Sequence, residues 1–206
     1  YRVSRRVEKP RGLPAIDFDS TSGLVAALRS PAVIVRSVAA ARLVKLGDDA
    51  IAPRLSALAA DADPTLRARA IWVLAQAGPK GLGEVTSELA STENPDAIRV
   101  TAYRALRFAN PDGLQELAGR FAADTSPALR REVALSIRDI PVKDCAETLR
   151  QLIDGYDGEN RWYLEAIGAA VANQEDTAYR EIVRPILSKI PHAKWDKRAK
   201  NLAWRF

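Results

Sequence analysis

The sequence contains no methionine, one cysteine and one histidine in 206 residues. A lone cysteine, Cys145, cannot close a disulfide within the chain. One histidine, His192, excludes metal sites built from several imidazoles or thiolates. No apolar run reaches the eighteen or so residues that a membrane span requires, and the start does not read as a signal peptide. Aromatic residues make up only 6% of the chain while hydrophobic residues make up 47%, so the expected core is built on Ala, Leu, Val and Ile. A primary translation product begins with methionine, so the chain reads as a mature or trimmed piece. Glycine and proline are scattered, and no low-complexity linker is visible.

The net charge is +5, unevenly spread. Residues 1–11 carry +4, residues 185–206 carry +5, and the body from 12 to 184 carries −4. Nucleic-acid binding needs a basic face on the folded body, and the body has no overall surplus. Nucleic acid is therefore an unfavoured partner, and a protein or neighbouring domain a favoured one. Oligomeric state is not legible.

Five arginines recur at a nearly constant step. Arg36, Arg67, Arg99, Arg130 and Arg161 are separated by 31, 32, 31 and 31 residues. Three positions after them stand Ala39, Ala70, Ala102, Val133 and Leu164. Seven after stand Leu43, Leu74, Leu106 and Ile137, with Gly168 breaking the rule and Ile167 a candidate stand-in. Ten after stand Leu46, Ala77, Ala109, Ile140 and Val171. Offsets of three, seven and ten trace one stripe of a helix. Before each arginine a second apolar series recurs at Leu58, Leu89, Phe121 and Leu152, partnered by Leu55, Val85, Leu117 and Leu149. Between the two series stand "DADP", "ENPD" and "DTSP", which bring capping residues beside proline at a helix start. The pattern predicts an all-α α-α superhelix of about five helix-pair repeats, about eleven helices in all and no sheet. Helices this short need to stack on their neighbours to bury a core. Three divisions are expected: a basic arm (1–19), the repeat domain (20–184) and a basic aromatic tail (185–206).

The arginines pose a choice between a polyanion site and a structural ladder. An acidic or amide group precedes several of them: Asp61 or Asp63, Asn94 and Asp124. The favoured expectation is a ladder in which Arg36, Arg67, Arg99, Arg130 and Arg161 bond the turns of their own or adjacent units. Arg69 lacks a regular counterpart and is expected to face solvent.

The spacing and the "DP..R..A...L" signature resemble HEAT repeats. "YDGENRWYLEAIGAA" (156–170) and "PHAKWDKRAKNLAWRF" (191–206) resemble the closing helical region of large secreted proteins of planctomycetes and related bacteria. Those chains join a sugar-dehydrogenase-like β-propeller to a HEAT-like region and a c-type cytochrome segment. Tyr1–Val3 looks like the last propeller strand, and Gly23–Pro31 like the first helix after it. The resemblance implies a periplasmic or secreted setting. The haem-attachment motif C-x-x-C-H does not occur in this sequence.

No catalytic residue, cofactor or metal is expected. Asp154, Asp157, Glu159 and Glu165 crowd one loop, but "DGYDGEN" is too short for a calcium loop. Cys145 lies on an apolar stripe, which favours a buried inert thiol over a pairing with His192. Tyr156, Trp162, Tyr163, Trp195 and Trp204 form the candidate interaction surface, set against an expectation that some of these rings pack as an end cap. HEAT-like repeats also build alkylated-base DNA glycosylases and bilin lyases. A tetrapyrrole-handling reading would have Trp72, Tyr103 and Glu132 line one concave face. The leading expectation is a scaffold that holds a protein partner or neighbouring domains of the same chain.

Overall fold

The computed structural model describes residues 15–59 and 61–206, without the side chains of 54 and 57–59. The basic stretch 1–11, the Tyr1–Val3 resemblance and the Leu58 side chain lie outside that description. Among the described residues there is no strand. Two series of helices alternate. The first helices are α1 (Thr21–Ala27), α3 (Asp48–Ala59), α5 (Pro79–Ala90), α7 (Leu114–Phe121) and α9 (Val142–Asp154). The second helices are α2 (Val33–Leu46), α4 (Pro64–Ala77), α6 (Asp96–Ala109), α8 (Pro127–Ser136) and α10 (Arg161–Ala170). A π-helical stretch (Tyr179–Val183) joins α11 (Glu175–Ala178) to α12 (Arg184–Leu187), and α13 (Lys197–Arg205) closes the chain. The helical run is continuous across the expected 184/185 boundary.

Local chemistry sets the starts of the second helices. Asp63 accepts from the Thr65 amide at 2.8 Å, Ser126 from Leu129 at 3.2 Å and Asn160 from Tyr163 at 3.0 Å. Pro64 and Pro127 occupy first-turn positions where a missing N–H leaves no bond unmade.

Second helices pack side by side in the order α2, α4, α6, α8, α10, and α13 lies against α10. The stripe three residues after each arginine is buried throughout, from Ala39 to Leu164. Leu46 departs from its stripe: it is exposed, at the last position of α2. Gly81 lets α4 and α5 touch, since a Cβ there would lie 2.1 Å from the Leu74 carbonyl oxygen.

The last unit is out of step. Second helices begin at 33, 64, 96, 127 and 161, so the final interval is 34 residues. Arg161 therefore falls at the first helical position, not the fourth. Leu164, Ile167 and Val171 take the positions that Arg130, Val133 and Ile137 hold in α8, and all three are buried.

Candidate interaction face

The recurring arginines reach into turns. Arg36 donates to the carbonyls of Ser30 (2.8 Å) and Pro31 (2.7 Å) in its own unit. Arg67 donates to Glu88 (3.2 Å) and Asn94 (2.9 Å) in the next unit. Arg99 Nε bonds the Leu89 carbonyl, while its two terminal nitrogens grip Asp124 at 2.8 and 2.5 Å. Arg130 bonds the Thr125 carbonyl, the Gly155 carbonyl and the Tyr163 hydroxyl. A Cβ on Gly155 would lie 2.8 Å from Arg130 Nε, so the missing side chain leaves room for the guanidinium. Each of these last three arginines spans two successive turns or helices.

Burial of the Arg99–Asp124 pair is nearly complete, at 2% and 10% side-chain exposure. Burial alone pushes the Asp124 carboxyl up. Hydrogen bonds from Arg99 and the Ser126 amide outweigh it, together with the charges of Arg99 and Arg130, and hold Asp124 below its ordinary value.

Arg161 is not a rung, contrary to expectation. Its side chain is 83% exposed and, among the described residues, pairs with Glu165 alone, at 3.8 Å. The 34-residue step moves it off the ladder position. Arg198 of α13 bonds that turn instead, donating to the carbonyls of Ile153 (3.0 Å) and Tyr156 (2.8 Å). Arg69 is not solvated as expected either: it crosses to the preceding unit and donates to the Leu28 carbonyl at 2.6 Å.

The aromatic group divides. Tyr156 and Tyr163 are each 2% exposed and stack with centroids 6.0 Å apart. They are core residues and leave the candidate surface, because the rung from Arg130 needs the Tyr163 hydroxyl inside. Burial also pushes the Tyr163 phenol up. Trp195 is half-buried, its indole donating to the Ile190 carbonyl. Trp162 and Trp204 stand open to solvent.

Sequence reasoning missed two members of the open face. Phe108 and Leu135 are exposed, and Phe108 meets Trp72 edge-on with centroids 5.7 Å apart. Trp72, Arg104 and Leu135 all stand five residues after a ladder arginine. That offset points away from the inward stripe and was readable in the same register. The outward side of the second helices thus carries Trp72, Phe108, Leu135 and Trp162, with Arg104 and Arg131 among them.

Trp72, Tyr103 and Glu132 do not line one open surface. Tyr103 is fully buried, bonded to Ser136 at 2.8 Å, and burial pushes its phenol up to about 12. Glu132 is buried beneath Arg104, with Arg107 at 3.9 Å. The Glu132 carboxylate holds the Arg104 guanidinium above its ordinary range.

The acidic loop is spent on local bonds. Asp157 accepts from the amides of Glu159 and Asn160. Asp154 pairs with Arg150, Glu159 with Lys197, and Glu165 with Arg205 at 3.3 Å. Among the described residues no group of three or more His, Cys, Asp or Glu is placed to hold a metal. Cys145 is buried, its sulfur 3.5 Å from the Pro141 carbonyl, and burial pushes the thiol up. His192 instead packs its ring on Trp195, 4.6 Å between centroids. Among the described residues no helix is long and apolar enough to cross a membrane.

Among the described residues the framework is all-helical and scaffold-like, and its buried arginine and carboxylate groups are paired internally. No curated protein matches the chain. Residues 51–138 match the family model for HEAT repeats, and this part of the chain is a HEAT-repeat region.

Proposed function

We propose that the chain is a non-catalytic scaffold of about five stacked helix pairs at a spacing near 31 residues, which binds a protein partner or neighbouring domains of its own parent chain. The observation that carries this reading is the open side of the second helices. Phe108, Leu135 and Trp162 are 64%, 45% and 72% exposed there, whereas the ionised groups beneath are already paired. Large exposed apolar residues gathered on one side of a stack mark a contact surface. A setting in the periplasm or outside the cell, beside a propeller and a cytochrome segment, rests on the resemblance of residues 156–206, and the complete open reading frame tests it.

Site-specific photo-crosslinking tests the main reading. A benzophenone side chain replaces Leu135 on the second-helix side, or Lys143 on the exposed side of α9. The scaffold reading predicts protein adducts in cells from position 135 and few from 143. Equal labelling from both positions, or none from 135, would contradict it.

A further inference from the structure

The open face of the second helices holds two apolar grooves that are not neighbours. One lies between α2 and α4, has a volume of about 340 Å³, and is walled by Ala40, Ala68 and Trp72, together with Arg36 and Arg69, whose guanidinium groups already donate to backbone carbonyls. The other lies between α8 and α10, has a volume of about 540 Å³, and is walled by Leu135, Trp162 and Ala169. Each is large enough for a leucine or phenylalanine side chain.

The ground between them is cationic. Arg104 and Arg107 stand on α6 beside the buried Glu132, and Arg131 on α8 forms part of the wall of the α8/α10 groove. Arg104 is half exposed, while Glu132 is buried beneath it. Arg131 is exposed and makes no hydrogen bond or ion pair among the described residues. Arg104, Arg107, Arg131 and Glu132 together carry two positive charges in a body that is net negative over residues 12–184. Along the face the order is apolar, cationic, apolar, so the complement is apolar, anionic, apolar.

Carboxylates and phosphates could both meet three arginines. A nucleic acid is anionic along its whole length and would bring phosphate to the grooves as well. Glu165 opposes that, because on the α8/α10 groove it offsets Arg131 and leaves no net positive charge for a phosphate. A peptide can confine its charge to the middle.

Spacing narrows the partner further. The grooves are separated by three helix-to-helix steps of about 8–10 Å each. That is roughly 24–30 Å, the length of about seven to nine extended residues. A helical segment would need about sixteen to twenty residues for the same span.

We infer that this face binds an extended acidic segment of a protein partner, with two large apolar side chains about seven to nine residues apart. One side chain sits beside Trp72 and the other beside Trp162, and carboxylates face Arg104, Arg107 and Arg131. The inference rests on the scaffold reading and adds the partner's chemistry to it.

Fluorescence anisotropy tests it with a labelled peptide carrying phenylalanines about eight positions apart across a spacer of aspartate and serine. Its comparators are a lysine-spaced peptide, a peptide with half the spacing, one with about twice the spacing, a single-anchor peptide and an oligothymidylate of equal charge. The acidic two-anchor peptide is expected to bind about tenfold or more tightly than every comparator. Trp162→Ala is expected to weaken it about tenfold. Arg131→Glu should weaken the acidic peptide and strengthen the lysine-spaced one. Both side chains are exposed, and circular dichroism should show unchanged helix content.

Equal binding of acidic and basic spacers, indifference to spacing, preference for the wider spacing, oligothymidylate binding as tightly, or no peptide binding would each overturn the inference. Crosslinks at position 135 without peptide selectivity would overturn this inference alone. Absence of both would overturn the scaffold reading as well.

Discussion

Replacing Arg99 by methionine should be among the most damaging single changes in the chain. Methionine keeps much of the aliphatic stem and removes the guanidinium. Asp124, only 10% exposed, then loses both bonds from Arg99 and keeps the Ser126 amide. The Leu89 carbonyl loses its Arg99 donor too. Removing one partner of a buried pair costs about 3–5 kcal/mol, because the other charge stays buried. With a urea m-value of about 2 kcal/mol/M, the midpoint should fall by roughly 2 M. Arg161→Met is the control, since that side chain is 83% exposed, and its cost should stay within about 0.5 kcal/mol. Adding Asp124→Asn to Arg99→Met should restore part of the loss, because the stranded charge disappears while an oxygen remains for Ser126. Urea unfolding followed by helical circular dichroism reads all of these. A cost below about 1 kcal/mol for Arg99→Met, or one equal to that of Arg161→Met, would refute the reasoning.

Three further outcomes follow from the same geometry. Asp124 is held below its ordinary value, so its contribution is complete above the unfolded value of about 3.9 and is lost as pH falls through the folded one. The stability gap between wild type and Arg99→Met should therefore narrow below about pH 4, and an unchanged gap in acid titrations would count against the rung. Gly81→Ala should cost about 1–3 kcal/mol in urea unfolding, because the new Cβ meets a backbone oxygen that cannot swing away. Gly168→Ala should cost less yet raise hydrogen exchange in α13. Its Cβ would lie within 2.1 Å of the Arg205 guanidinium, which crosses α10 there to reach Glu165; unchanged exchange in α13 would contradict that docking.

The legible part of the fold was the part governed by short-range rules. Apolar offsets from the arginines located the buried stripes, and Asp63 in "DADP" and Ser126 in "DTSP" marked helix starts through bonds made within three residues, whereas "ENPD" supplies no side-chain cap. Where the sequence misled, a distant contact or a change of step decided. The 31-residue interval to Arg161 concealed a 34-residue interval between helix starts, so a matching letter sat at a different helical position. Gly168 was visible as a break in the leucine pattern. The changed step takes that position off the leucine stripe, and the lack of a side chain there makes room for Arg205, thirty-seven residues further along the chain. Tyr156 and Tyr163 looked like surface aromatics because they lie near Trp162 in the chain, but Tyr163 is held inside by Arg130 and Tyr156 by Arg198 and Asn201 of α13. The open face was partly readable: Trp72, Arg104 and Leu135 share one offset, yet only their outward placement brings out Phe108 and the two grooves.

The central claim is that particular arginines are held between successive turns while others stand free. Nitrogen-15 NMR of the arginine side chains, read as hydrogen-exchange rates of Nε–H, tests this most directly. Arg99, Arg130 and Arg198 each donate Nε–H to a protein oxygen, so their signals should persist near neutral pH with strongly slowed exchange. Arg131 and Arg161 should exchange at the rate of a solvated side chain. Uniform fast exchange across all five would contradict the account.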